Sequence, residues 1–179
     1  MALSNQIIPH YTYDDYINWE GRWELIDGHP IAMSPLPVPQ HQRVASELRT
    51  ELTLALRKTG CKNCKSYDPL DYKISDSTTI QPDVLIVCGK IEKSFLDFPP
   101  ALVVEILSPS TMLRDRNTKY LIYQEQEVKY YLIVDIDKKL IEIYHLLNGK
   151  YELQPQSNSF EFYLSDDCVI TPQLSNIWE

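Results

Sequence analysis

The chain has 179 residues, 44% hydrophobic and 23% charged, a balance ordinary for a globular protein and long enough for a full core. Its net charge of −8 and pI near 5.0 argue against strong non-specific nucleic-acid binding over the whole surface. No apolar stretch approaches the ~20 residues of a membrane span, and Met1–Gln6 lacks the basic start and apolar core of a signal peptide, so one cytoplasmic domain, residues 1–179, is expected.

Thr12, followed by Asp14 and Asp15, predicts a capped short helix reaching Trp19. Trp23–Asp27 then reads as a strand, Gly28 as a turn and Ile31–Met33 as the returning strand. Pro35, Pro37 and Pro39 impose an extended connection. The stripe Val44, Leu48, Leu52, Ala55 and Leu56 predicts a long helix over residues 39–58, with Gly60 as its stop. Strands follow near residues 63–67 and 70–74, read also as one strand bent at Pro69, and then the two most apolar runs, 83–87 and 102–107. Ser108–Thr111 offers hydroxyl caps to a helix over about 112–127. Residues 130–135 form a further core strand, and 140–146 with 150–153 make a hairpin across Asn148-Gly149. The stretch 166–179 fits no single pattern. The central order is helix, three strands, helix, strand. The last strand–helix–strand unit should be a right-handed parallel crossover, and the earlier strands an antiparallel meander.

Other patterns carry less. Cys61 and Cys64 have zinc-ligand spacing, but no second pair or histidine cluster completes a tetrahedral site in the sequence, so the four cysteines read as structural or incidental thiols. Residues 41–73 hold seven basic and four acidic side chains, which suits a solvated helix face and tolerates a polyanion. Tyr120, Tyr123, Tyr130 and Tyr131 have the periods of a core or subunit interface rather than of a base-stacking platform.

One residue is out of place. Glu105 interrupts the buried run Ala101-Leu102-Val103-Val104-Glu105-Ile106-Leu107, where an ionised carboxylate is costly unless cations or donors meet it. Asp83 stands at the lip of the neighbouring strand. Two such acids point to a shared divalent metal and hence to a metal-dependent hydrolase. Alternation puts Val103, Glu105 and Leu107 on one face of the strand. The helix that follows rises ~1.5 Å per residue, which brings Lys119 within a side chain's reach of Glu105. Asp115, one turn earlier, should lie nearer the rim; the plainer alternative is an Asp115–Lys119 surface pair. Glu24 either extends the carboxylate set or pairs with a basic neighbour. His41 is either a core histidine or a residue lining the site. The amides at the start of the Ser110–Leu113 helix are candidates to hold a phosphate.

Pro82-Asp83, Glu105 within Val-Val-Glu-Ile-Leu-Ser-Pro-Ser, Asp115, Lys119-Tyr120 and the Tyr131–Asp135 strand together resemble the PD-(D/E)XK nuclease superfamily. With Trp23–Gly28 and His41, the chain is most similar within it to the Uma-type restriction endonuclease family, long catalogued as a domain of unknown function. The resemblance implies a restriction-endonuclease-like α/β fold of the α+β type. Its mixed central sheet would be flanked by helices, an αβββαβ core with added N- and C-terminal hairpins. It implies Mg2+-dependent hydrolysis of DNA phosphodiester bonds, with Mn2+ able to substitute. Asp83 and Glu105 would be metal ligands and the Ile106 carbonyl a third. It further implies a homodimer, as duplex cleavage commonly needs two centres. The superfamily's lysine two residues after the second acid is Leu107 here, so the resemblance assigns the catalytic lysine to Lys119, assisting the metal-activated water; Glu24 would join the catalytic set through an outer-shell water. The alternative is a catalytically inactive nucleic-acid-binding or assembly protein on the same scaffold.

Overall fold

The structure, a computed structural model, describes residues 9–33, 38–158 and 160–179. The expectations for Met1–Gln6, Pro35 and Pro37 lie outside those residues. The first helix, α1 (Tyr13–Tyr16), is shorter than expected: Thr12 and Asp15 close a capping box, but only isolated turns continue towards Trp19. The hairpin of β1 (Trp23–Ile26) and β2 (His29–Ala32) turns at Asp27-Gly28, both at positive φ, which matches the twist of a two-residue hairpin. The long helix α2 (Pro39–Thr59) opens on Pro39 and ends at left-handed Gly60.

After α2 come β3 (Cys64–Tyr67), β4 (Tyr72–Ser75), β5 (Thr78–Ile80), β6 (Val84–Cys88) and β7 (Leu102–Ile106). The 63–67 and 70–74 segments are not one bent strand. Pro69 follows β3 and has no N–H for a ladder; the chain then crosses to a second sheet of order β2-β1-β5-β4, and β5 was not foreseen. The expected helix over 112–127 is interrupted: α3 (Met112–Arg114) runs into a π-helical turn (Asp115–Lys119) and then α4 (Tyr120–Glu125). Next are β8 (Tyr130–Asp135), β9 (Leu140–Leu147) and β10 (Lys150–Leu153), the last two hinged on Asn148-Gly149. The C-terminal stretch resolves into the hairpin β11 (Phe162–Ser165) and β12 (Cys168–Ile170) and a 3-10 helix (Leu174–Trp178).

The central sheet has the order β10-β9-β8-β7-β6-β3, with β7 and β8 parallel and the other neighbours antiparallel. This is the mixed α+β sheet anticipated. On one face the α2 stripe and the C-terminal segments bury Val84, Ile86, Leu102, Val104 and Ile106. The opposite face buries Leu85, Val87, Val103, Tyr131 and Ile133 beneath α4. The expected thiols are instead two disulfides, Cys61–Cys168 and Cys64–Cys88. Cys64 and Cys88 are register partners on β3 and β6, and the C-terminal hairpin delivers Cys168 to Cys61 across 107 residues, a closure no local spacing signals. Among the described residues, no helix is long and apolar enough to cross a membrane.

Candidate active site

The register of β6 on β7 pairs Val84 with Val104 and Leu85 with Val103. One step further, Asp83 stands opposite Glu105 on the face that carries Leu85 and Val103. The Asp83 amide donates to the Val104 carbonyl (3.2 Å), and Asp83 Oδ2 accepts from the Ile106 amide (2.8 Å). The acid at the strand's lip thus takes the place of a ladder carbonyl, so its position is set by the sheet itself. His41, in the first turn of α2, reaches this point from the other layer. Its Nε2 lies 3.1 Å from the Ile106 carbonyl and 3.4 Å from Asp83 Oδ2. Burial lowers the affinity of the ring for a proton, but the Asp83 carboxylate outweighs this and leaves the His41 pKa raised. His41 therefore lines the site and is not an enclosed core histidine.

The charged centre is Lys119, at the end of the π turn and 1% exposed. Its ammonium donates to Glu105 Oε1 at 2.9 Å and lies 2.7 Å from Glu24 Oε1 and 3.9 Å from Asp115 Oδ1. The reach estimated from helix rise is met. Asp115, however, is not near the rim: it is 1% exposed, so the surface-pair alternative fails for both members. The π turn winds one residue wider than an α turn, and both of its charged ends face inward. Burial alone would drive Lys119 towards neutrality, yet Glu105, Glu24 and Asp115 lift its pKa above the ordinary lysine value. The Glu105 carboxyl is pushed well above its usual range by burial, opposed by Lys119 and reinforced by Asp115.

Glu24 arrives from β1, in the second sheet. It pairs with basic side chains, but these belong to the distant helical segment: Lys119, and Arg114 with Nε 3.5 Å away. The Gln81 amide fixes its Oε1 at 2.9 Å. Sequence reasoning missed two participants. The Tyr123 hydroxyl donates to Glu105 Oε1 at 2.6 Å, and burial beside that carboxylate holds its pKa well above the usual phenol value, so it remains a donor. Its position four residues after Lys119, on the same helical face, was the available signal. Arg114 was the other. The amides of Thr111 and Met112 both donate to the Ser108 carbonyl, at 3.1 and 3.0 Å, so they are not free to hold a phosphate as anticipated.

Asp83, Glu105, Ile106, Asp115, Lys119 and His41 all line one cavity of about 630 Å3 at the carboxyl ends of β7 and β8. Glu24 is fully buried behind Lys119. Among the described residues, no group of three or more His, Cys, Asp or Glu side chains is arrayed to hold a metal ion. Among the described residues, two buried carboxylate oxygens nonetheless accept no hydrogen bond, Asp115 Oδ1 and Glu24 Oε2.

Residues 11–172 match the model of the Uma2 family, described as "Putative restriction endonuclease". The chain belongs to the Uma2 family. A relative by sequence, an uncharacterized protein of Synechocystis sp., is 31% identical over 147 residues, 76% of this chain and 75% of that one. The fold of this Uma2 chain is similar to the crystal structure of "a putative nuclease belonging to DUF820" from Anabaena variabilis. The TM-score is 0.72 at 16% identity, covering 93% of this chain and 97% of that one. Family and fold together support a nuclease.

Proposed function

We propose that this Uma2 protein is a Mg2+-dependent endonuclease that hydrolyses DNA phosphodiester bonds, with Asp83 and Glu105 as metal ligands and Lys119 as the catalytic cation. The observation that carries the reading is the buried Lys119 ammonium, 2.9 Å from Glu105 at the floor of the cavity that Asp83 also lines. The donor set suits a hard cation. Asp83, Glu105 and the Ile106 carbonyl offer oxygen only, and Asp115 Oδ1 is a buried oxygen without a hydrogen bond. Mg2+ is commonly held by one or two carboxylates, with waters and substrate phosphate completing its shell, so a full protein cage is not required. When bound, the ion would polarise the phosphate and lower the pKa of a coordinated water.

The chain's own residues then divide the work. Lys119, with its Nζ 2.7 Å from Glu24, 2.9 Å from Glu105 and 3.9 Å from Asp115, serves as a hydrogen-bond donor that offsets charge on the transition state. Tyr123 and Lys119 both bind Glu105 Oε1 and fix its rotamer. His41 and the Ile106 amide hold Asp83. Glu24 holds Lys119 from behind and assists without touching substrate. A cytoplasmic location and a homodimer complete the proposal; β10 and β3 are the edge strands of the central sheet, and Leu153 on β10 is exposed.

The test is cleavage of plasmid and labelled oligonucleotides with Mg2+ or Mn2+, alongside calorimetric titration of either ion. Wild type should cleave at least one of these substrates. Asp83→Ala should lose the binding heat and at least a thousandfold in rate, and Glu105→Gln the same. DNA binding without cleavage under any metal would leave the inactive binding protein as the better reading, one that the negative net charge and Leu107 in the usual lysine position favour.

A further inference from the structure

The cavity above the carboxylates is larger and more apolar than attack on a phosphate requires. Its volume of about 630 Å3 falls among pockets that enclose a small organic ligand, ~300–1,000 Å3. Away from the charged floor its wall is mainly carbon, from Val38 at the mouth of α2, Pro109 after β7, Met112 at the start of α3 and Ile136 after β8. The floor is recessed: Glu105 is 3% exposed, and Asp115 and Lys119 are 1% exposed. At the mouth, Val38 and Met112 remain 66% and 40% exposed, an apolar lip continuous with the cavity wall. Of the other charged residues lining the cavity, Arg22 donates to Gln81 at 3.3 Å, Lys138 pairs with Asp135 at 3.0 Å, and Asp137 is a further carboxylate.

A paired duplex matches this shape poorly. Its bases are stacked inside and its outer surface is phosphate and sugar, so it gives an apolar wall nothing to bury. Its bases can meet that wall only if a nucleotide leaves the stack. Nor does a chain of net charge −8 offer the many cations that a long duplex footprint neutralises. A strand with a free base satisfies both halves of the cavity.

We infer that the cavity takes one unstacked nucleotide, its base against Val38, Pro109, Met112 and Ile136 and its phosphate towards Asp83 and Lys119, so that the substrate class is single-stranded DNA or a single-stranded end. The phosphate contact and the reaction rest on the nuclease reading, which supplies the cation beside Asp83; the base contact does not. The wall selects for an exposed base face and reads no particular sequence. One cavity serves one strand, so cleavage of a single strand needs no second subunit.

The experiment compares, by fluorescence anisotropy with the full chain, a labelled single strand, the same strand in a duplex, and the same strand with bases removed at successive central positions. Cleavage is followed on the same three substrates. The single strand should bind at least tenfold more tightly than the duplex, and the base-free strand should lose most of that advantage. Met112→Asp, at a half-exposed position where the fold tolerates change, should weaken the single strand by a similar factor. Equal or tighter duplex binding, undiminished binding of the base-free strand, or no DNA binding at all would each overturn the inference. The two readings fail separately. Efficient cleavage of intact duplex refutes the single-strand pocket and leaves hydrolysis, whereas base-dependent single-strand binding without cleavage refutes hydrolysis and leaves the pocket.

Discussion

The two faces of the central sheet are built on opposite principles. Towards α2, the strands and helix bury aliphatic side chains with no charged group among them: Val44, Leu48 and Leu52 against Ile86, Val104 and Leu132. Towards α4, the same strands bury Glu105 and the phenols of Tyr123 and Tyr131, with Lys119, Asp115 and Glu24 gathered at one end. Losses on the first face are graded, because each methylene contributes by its area. On the second face every charge depends on the others, and removing one leaves its partners desolvated and unpaired. Stability is shared broadly on one side, while the chemistry sits in a tightly coupled cluster on the other.

That contrast can be broken most directly at Lys119. Lys119→Met leaves Glu105, Glu24 and Asp115 without their common cation and should cost ~3–5 kcal/mol of unfolding free energy in urea melts. Adding Glu24→Gln and Glu105→Gln should recover most of it. If the single substitution proves neutral, the cluster is not held by its charges. On the apolar face, Leu48→Ala should cost ~2–5 kcal/mol through a cavity, while cleavage per folded molecule stays at the wild-type rate. A fall in specific activity there would mean that the two faces are not independent.

Tyr123→Phe sharpens the comparison. It removes one donor to the Glu105 carboxylate and should cost ~1.5–3 kcal/mol, with a drop in cleavage larger than that in DNA binding. The smallest effect is expected outside the cluster, at the Arg116–Glu142 pair, bonded at 2.7 and 2.8 Å. Arg116 holds the Glu142 carboxyl below its usual pKa. A depressed pKa means that the stabilisation is complete above the ordinary glutamate range and lost as pH falls through the folded value. Glu142→Gln should therefore cost no more than ~1 kcal/mol at neutral pH. Melts of the two proteins should converge below about pH 4, where the unfolded carboxyl is protonated; a gap that widens with acid would reverse the assignment.

How much of this was legible in the chain depends on the range of each interaction. The apolar runs of β6, β7 and β8 and the stripe of α2 announce themselves through local period, as does the misfit of Glu105. The reach of Lys119 followed from helix rise, since only fourteen residues separate it from Glu105. The depth of Asp115 did not follow, because the π turn changes which side chains face inward. β5 has three residues and the strands of the C-terminal hairpin four and three, too short for periodicity to register. The disulfides are closures over 24 and 107 residues, between segments whose own sequences carry no mutual signal.

By itself, then, the sequence determined that the long apolar runs would be buried, where the long helix begins and stops, and that a carboxylate would lie in an apolar strand in need of a partner. These are consequences of side-chain pattern over a few residues, which hydrophobic burial and backbone geometry read directly. Only the tertiary structure decided that Glu24 would come from a second sheet to share Lys119, that Asp83 would fall opposite Glu105, and that an apolar chamber would stand above them. Those outcomes depend on the register and packing angle between segments distant in the chain, which are set by the core as a whole.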